Sequence, residues 1–157
     1  MTLQGSLMPR HLPINLPDAD DVIFLHDVVV YMVGGSEGLR SRDALESALA
    51  RVDLRMQYDA EATVVGIAAL TAVSIAKAHA FSDGNKRAAY GAMHMVLTMN
   101  GYTMQPDLSQ TLRMIVAAAR DGDEASLSSW LESCAVQDPV FQALFDYDKG
   151  PGPDDDL

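Results

Sequence analysis

The run Ala62-Thr63-Val64-Val65-Gly66-Ile67-Ala68-Ala69-Leu70-Thr71-Ala72-Val73-Ser74-Ile75-Ala76 carries no charge, and it leads through Lys77-Ala78 into His79-Ala80-Phe81-Ser82-Asp83-Gly84-Asn85-Lys86-Arg87. Val64, Ile67, Leu70 and Ile75 recur at helical spacing, and Asp59 or Thr63 stands where an N-cap is needed. The run is shorter than the roughly 18 residues a membrane span requires and is rich in Ala and Thr, so it predicts a buried core helix ending near Ala78. Beyond the Asp83-Gly84 turn the spacing predicts another helix over Asn85 to Asn100, with Met93, Val96 and Leu97 inward and Gly101 as its stop.

Working outward, the same pattern repeats. Pro17-Asp18 opens a helix in which Val22, Leu25, His26, Val29 and Val33 recur, and Gly34-Gly35 closes it. Ser41 caps a second, with Ala44, Leu45, Ala48, Leu49 and Val52 on one face. Arg51 to Ala60 is mixed and polar and is expected to be a connecting loop. Downstream, Asp107 and Gln110 resemble a capping box for a helix whose apolar face is Leu108, Leu112, Ile115, Val116 and Ala119, ended by Asp121-Gly122. Ser126 is expected to cap a short helix through Trp130, Leu131 and Cys134. Val140, Phe141, Leu144 and Phe145 suggest one more amphipathic turn or two.

No stretch alternates with period two, so an appreciable sheet is not expected and the fold class is all-α, a compact single-domain helical bundle. The expected organisation is an N-terminal arm over 1–17, a domain over 18–146, and a disordered acidic tail over 147–157.

Composition limits the function. Eleven Lys and Arg against 22 Asp and Glu give a net charge of −11, which repels a phosphate backbone, so direct nucleic-acid binding is not expected. The one cysteine, Cys134, has no partner for a disulfide or a zinc site and fits a reducing cytoplasm. The first residues lack the basic start and apolar run of a signal peptide, so neither export nor a membrane is expected.

The chemistry gathers at His79–Arg87. A helix starting at Asn85 behind a glycine aims unpaired N–H groups and a positive dipole end at the space before it, a setting suited to phosphate. Lys86 and Arg87 stand where that dipole disfavours cations, at a cost of about 0.3–1 kcal/mol each unless an anion is bound. Asp83 offers hard oxygen to a magnesium ion shared with phosphates, and the His79 imidazole can take a proton from a hydroxyl. Phe81, between polar neighbours, is expected to turn inward and anchor the loop. Singly, each has a plainer reading: His79 as a helix-end histidine, Asp83-Gly84 as an ordinary turn, Lys86-Arg87 as a solvated pair. Together they suit transfer of a phosphorus group from a nucleotide, without selecting which phosphorus is attacked. His26 and His94 read as packed or surface residues, His11 lies in the arm, and Met93, Met95 and Met99 read as core filler.

The order His79, Phe81, Asp83, Asn85, Lys86, Arg87 resembles the loop signature H-x-F-x-D/E-x-N-G/K-R of the Fic/Doc superfamily. Leu25-His26-Asp27, Gly38-Leu39-Arg40, Leu45-Glu46-Ser47-Ala48-Leu49-Ala50-Arg51 and Asn100-Gly101-Tyr102 also look like the surrounding stretches of Doc-like chains. The resemblance spans about residues 20–135. Fic adenylyltransferases usually carry Gly after the Asn and a second Arg three residues beyond the first, and pass AMP to a protein hydroxyl. Doc-like toxins usually carry Lys and lack that Arg. Here Lys86 follows Asn85 and Tyr90 occupies the second position, which places the chain with the Doc-like, death-on-curing branch. Gly84 and Gly91 depart from residues common there.

The resemblance implies His79 as general base, Asp83 as magnesium ligand, Lys86 and Arg87 as phosphate clamp, and Gly84 with Asn85 as anion nest. It implies ATP as substrate, magnesium, an antitoxin that lies along a hydrophobic groove, and a target in translation, elongation factor Tu. It also implies a flap between the second and third core helices, which assigns that role to Arg51–Ala60. The segment after Ala135 is expected to cover part of the partner groove. The alternatives are a Fic-type adenylyltransferase and a non-catalytic nucleotide- or phosphate-binding module.

Overall fold

A computed structural model describes residues 13–105 and 107–148. In chain order the elements are α1 (Ala19–Val33), α2 (Arg42–Tyr58), α3 (Val64–Ala78), α4 (Asn85–Met99), β1 (Tyr102–Met104), α5 (Leu108–Asp121), α6 (Glu124–Cys134), β2 (Ala135–Gln137) and α7 (Pro139–Asp148). The uncharged helix α3 is the axis: from Ile67 to Ala76 every residue is buried, and α2, α4, α5 and α6 pack around it. A helix apolar on all sides has no face for solvent, so the other helices are obliged to enclose it. Val22, Leu45, Val52, Met93, Val96, Leu97, Ile115, Leu127 and Leu131 fill the remaining core.

Side-chain caps set most helix starts. Asp18 and Asp21 form a reciprocal capping box at α1, and Ser41, Thr63 and Asp107 cap α2, α3 and α5. At α6 the cap is Asp123 rather than Ser126, whose N–H and hydroxyl both donate to the Asp123 carboxylate. Gly122 closes α5 at φ 66° only one residue earlier, which pulls the next helix start forward.

The stretch Arg51–Tyr58, expected as a loop, is the second half of α2. Its polarity belongs to the outer face of a helix whose inner face buries Val52 and packs Met56 on the core. An Asp53–Gln57 hydrogen bond and an Arg55–Glu124 ion pair line the outside. Nothing between Arg51 and Tyr58 breaks a helix, so burial decided the matter.

A short ribbon was not anticipated. Tyr102, Thr103 and Met104 pair antiparallel with Gln137, Val136 and Ala135, and three-residue strands are too short to show period-two alternation. Beyond it α7 runs ten residues, longer than expected, with Pro139 in its first turn and Asp138 accepting from the Val140 and Phe141 N–H groups. Its Phe141 ring lies over Gly101, at the end of α4 remote from His79. The helix passes the expected boundary at 146, and residues 149–157, assigned to the acidic tail, lie outside the described residues. So do 1–12, with His11; residues 13–16 are irregular, yet Ile14 and Leu16 pack on the core and Asn15 exchanges two hydrogen bonds with Asn100.

Candidate active site

The loop from His79 to Gly84 joins the last turn of α3 to the first of α4. His79 ends α3 in the left-handed region at φ 46°, the one non-glycine described residue with positive φ, and its side chain is exposed. Such a conformation costs a non-glycine residue roughly 1–2 kcal/mol. The turn has to occur here because Ala80 and Phe81 next enter the core, at 0% and 1% exposure.

Phe81 fixes the loop from beneath. Its ring stacks on His26 of α1 with centroids 3.9 Å apart. The Asn85 side chain grips its backbone, Oδ1 accepting from the Phe81 N–H at 3.0 Å and Nδ2 donating to the Phe81 carbonyl at 2.9 Å. The Asn85 side chain therefore faces the loop, and what Asn85 offers a ligand is its backbone N–H.

A strap, the connection from Gly34 to Ser41, closes the loop's outer side. The Ser82 N–H donates to the Gly38 carbonyl, Leu39 bridges Phe81, and the Arg40 and Ser41 N–H groups donate to the Ala80 carbonyl. A Cβ at Gly38 would stand 3.0 Å from Ser82 Oγ, and Gly38 has φ 132°, so glycine is required for this approach. The segment alongside the loop is thus the α1–α2 connection. The flap role assigned to Arg51–Ala60 does not fit, because that stretch is mostly helix.

Asp83 takes two backbone donors. Its Oδ2 accepts from the Ser36 N–H at 3.2 Å and its Oδ1 from the Gly84 N–H at 2.8 Å. Those bonds, the Ser36 one foremost, hold its carboxyl below the usual carboxylate range, with the Arg87 charge adding to them. Gly84 caps α4 at φ 78° and provides no side-chain cap. With five other helices capped by Asp, Ser or Thr, α4 alone of these leaves its first N–H groups open. Lys86 and Arg87 are exposed at that end, and among the described residues neither forms an ion pair; Arg87 Nη1 donates to the Gly34 carbonyl at 3.3 Å.

These groups share a cleft of about 950 Å³ lined by His79, Asp83, Gly84, Asn85, Lys86 and Arg87. A wall from another element was not anticipated: Leu112, Val116 and Ala119 of α5 line the cleft, together with Val33, Lys77 and Arg120. Leu108 and Val116 were expected in the core but are 53% and 39% exposed; Thr111, Ile115 and Ala118 are the buried residues of α5. Periodicity registers an apolar face without telling core from cleft. His26, read as a packed or surface residue although Leu25-His26-Asp27 resembles a Doc-like stretch, is buried and touches the loop directly. Tyr90 does not line the cleft. It packs half-buried against the core, its ring facing His94, and burial raises its hydroxyl pKa.

Asp83 suits a hard cation, being an ionised oxygen donor at the cleft mouth. Among the described residues no group of three or more His, Cys, Asp or Glu forms a metal cage, so a magnesium ion here would draw its other ligands from phosphate and water.

Two comparisons bear on this geometry. The family model described as "Fic/DOC family" matches residues 16–97, which span α1 through most of α4 and include the whole loop. The protein kinase doc of Escherichia phage P1 is 31% identical over 110 residues, covering 70% of this chain and 85% of that protein. With a helical core, a loop of this order and matches of this extent, the chain belongs to the Fic/Doc superfamily and to its Doc-like branch.

Proposed function

We propose that this protein is a Doc-like toxin that transfers the terminal phosphate of ATP to a hydroxyl of a protein target. The observation that carries the reading is the uncapped start of α4 beside an exposed histidine. An open helix N-terminus with the exposed cations Lys86 and Arg87 is arranged for a polyanion, and His79 stands on the same cleft to receive a proton.

The steps follow from the chain's own groups. The N–H groups at the start of α4, with Lys86 and Arg87, bind phosphate oxygens and stabilise the charge that builds as the phosphoryl group moves. His79 accepts the proton of the incoming hydroxyl as its oxygen bonds to the terminal phosphorus and the bond to the bridging oxygen breaks, leaving ADP. Asp83 would hold a magnesium ion, which would supply neutralisation of phosphate charge. The Asn85 clamp and the strap keep the loop from relaxing, so little of the binding energy is spent on ordering it.

Lys86, the withdrawal of Tyr90 from the cleft, and likeness to a protein named a kinase favour phosphate over AMP transfer. Elongation factor Tu is the target that the resemblance implies, in the cytoplasm where translation occurs. An antitoxin is the partner we expect. Phe24, Val28, Tyr31 and Met32 lie on one face of α1 at 72%, 36%, 88% and 76% exposure, an apolar stripe of the kind that a partner covers. In the segment after Ala135, expected to cover part of the partner groove, Phe141 docks at Gly101, at the end of α4 remote from His79.

Incubation with ATP labelled at the terminal or the alpha phosphate tests the reading. Label from the terminal position on a protein target supports it. Label from the alpha position alone replaces it with adenylylation, and ATP binding without any transfer makes the chain a binding module.

A further inference from the structure

We infer that His26, outside the loop and on another helix, is the positioning residue that sets the orientation of the Asp83–Gly84 peptide and so keeps the anion nest open. The inference rests on the phosphate-site reading above and adds a residue to it. His26 is 2% exposed and enters from α1 beneath the loop. Its Nε2 lies 2.7 Å from the Asp83 carbonyl oxygen. A carbonyl only accepts, so Nε2 carries the proton and donates. Its ring is stacked on Phe81, so the imidazole is held at its edge and its face; Nδ1 lies 3.1 Å from Asp27 Oδ1, a contact that becomes a hydrogen bond only when Nδ1 carries a second proton.

The consequence comes from peptide geometry. In a planar trans peptide the carbonyl and the following N–H point in opposite directions. Drawing the Asp83 carbonyl down onto His26 therefore turns the Gly84 N–H away from His26, toward the side on which Asp83 Oδ1 receives it at 2.8 Å. Rotating that peptide by half a turn would aim a carbonyl dipole where phosphate oxygens are to bind, an electrostatic inversion of the site. Glycine crosses readily between the backbone conformations on either side of such a rotation, so Gly84 by itself does not prevent it. His26 does so twice over: it bonds the carbonyl, and it fills the space below Gly84, where an added Cβ would stand 3.1 Å from Nε2.

Two variants separate positioning from packing. His26→Phe keeps a ring to stack on Phe81 and loses the donor; His26→Gln loses the ring and keeps an N–H donor. In the full-length chain we expect His26→Phe to retain a cooperative melt while kcat for transfer from ATP falls on the order of 100-fold. His26→Gln should recover most of that loss. The ¹⁵N–¹H resonance of Gly84, read in the ligand-free protein, should move in His26→Phe and return toward its original place in His26→Gln, and titrated inorganic phosphate should shift the Asn85 to Arg87 amides less in His26→Phe. Unchanged turnover and an unmoved Gly84 resonance in His26→Phe would overturn the inference. So would losses in both variants that track melting temperature with no rescue by Gln, since that makes His26 packing alone. If the unaltered protein transfers nothing from ATP, the functional reading fails, while the Gly84 resonance and the phosphate titration still decide the role of His26.

Discussion

The side-chain amide of Asn85 brackets the backbone of Phe81, accepting from its N–H at 3.0 Å and donating to its carbonyl at 2.9 Å. One residue thereby satisfies both polar groups of a buried position and spends none of its side chain on a ligand. Asn85→Ala strands the two groups and should cost about 1–3 kcal/mol. Asn85→Asp keeps the acceptor but sets a second oxygen against the Phe81 carbonyl, so it should be at least as destabilising. Urea unfolding of the three proteins near pH 7 checks the order.

Asp83 gives the loop an acid-sensitive element. Its folded-state pKa lies below the ordinary carboxylate value because the Ser36 and Gly84 N–H groups favour the charged form. The stabilisation it contributes is therefore fully present above about pH 4 and is lost as pH falls through the lowered folded value. The melting temperature of the unaltered protein minus that of Asp83→Asn should be positive at neutral pH and shrink below about pH 4. A difference independent of pH would refute the assignment.

His79 trades stability for position. With φ at 46° it is strained, and His79→Gly should raise stability by about 0.5–1 kcal/mol while abolishing transfer. Chemical denaturation and the labelling assay, run on one preparation, read both effects. A stabilised variant that keeps its activity would remove His79 from the chemistry.

Gly84 is confined by its left-handed backbone and by His26. Gly84→Ala meets φ 78° and the imidazole together and should lose about 1–2 kcal/mol. Thermal melts of Gly84→Ala with and without His26→Ala divide the two causes, since only the contact disappears with the imidazole.

Gly101 tests the far end of α4. An added Cβ would lie 2.2 Å from Phe141 Cδ1, and φ is 83°, so Gly101→Ala should displace α7. Faster proteolysis within 139–148, with transfer unchanged, is the expected result; lost transfer would show that α7 reaches the site's energetics.

Most of the helical frame was legible because helix caps and the 3.6-residue apolar period are local signals. Ser41, Thr63, Asp107 and the uncharged run before His79 placed starts and a core helix where they occur. Misreadings arose where composition stood in for burial. Arg51–Tyr58 is polar on one face only, and three-residue strands leave no periodic trace.

By itself the sequence determined an all-helical core around α3 and a loop whose residue order marks a Doc-like chain, since both are written in consecutive residues. Tertiary structure decided what surrounds the loop. The Gly34–Ser41 strap, the α5 wall and His26 reach it from other elements, 57 positions away in the case of His26 and Asp83. Such contacts are set by how helices pack, and no local pattern encodes the far partner of a hydrogen bond. The loop's chemistry is local; its geometry belongs to the fold.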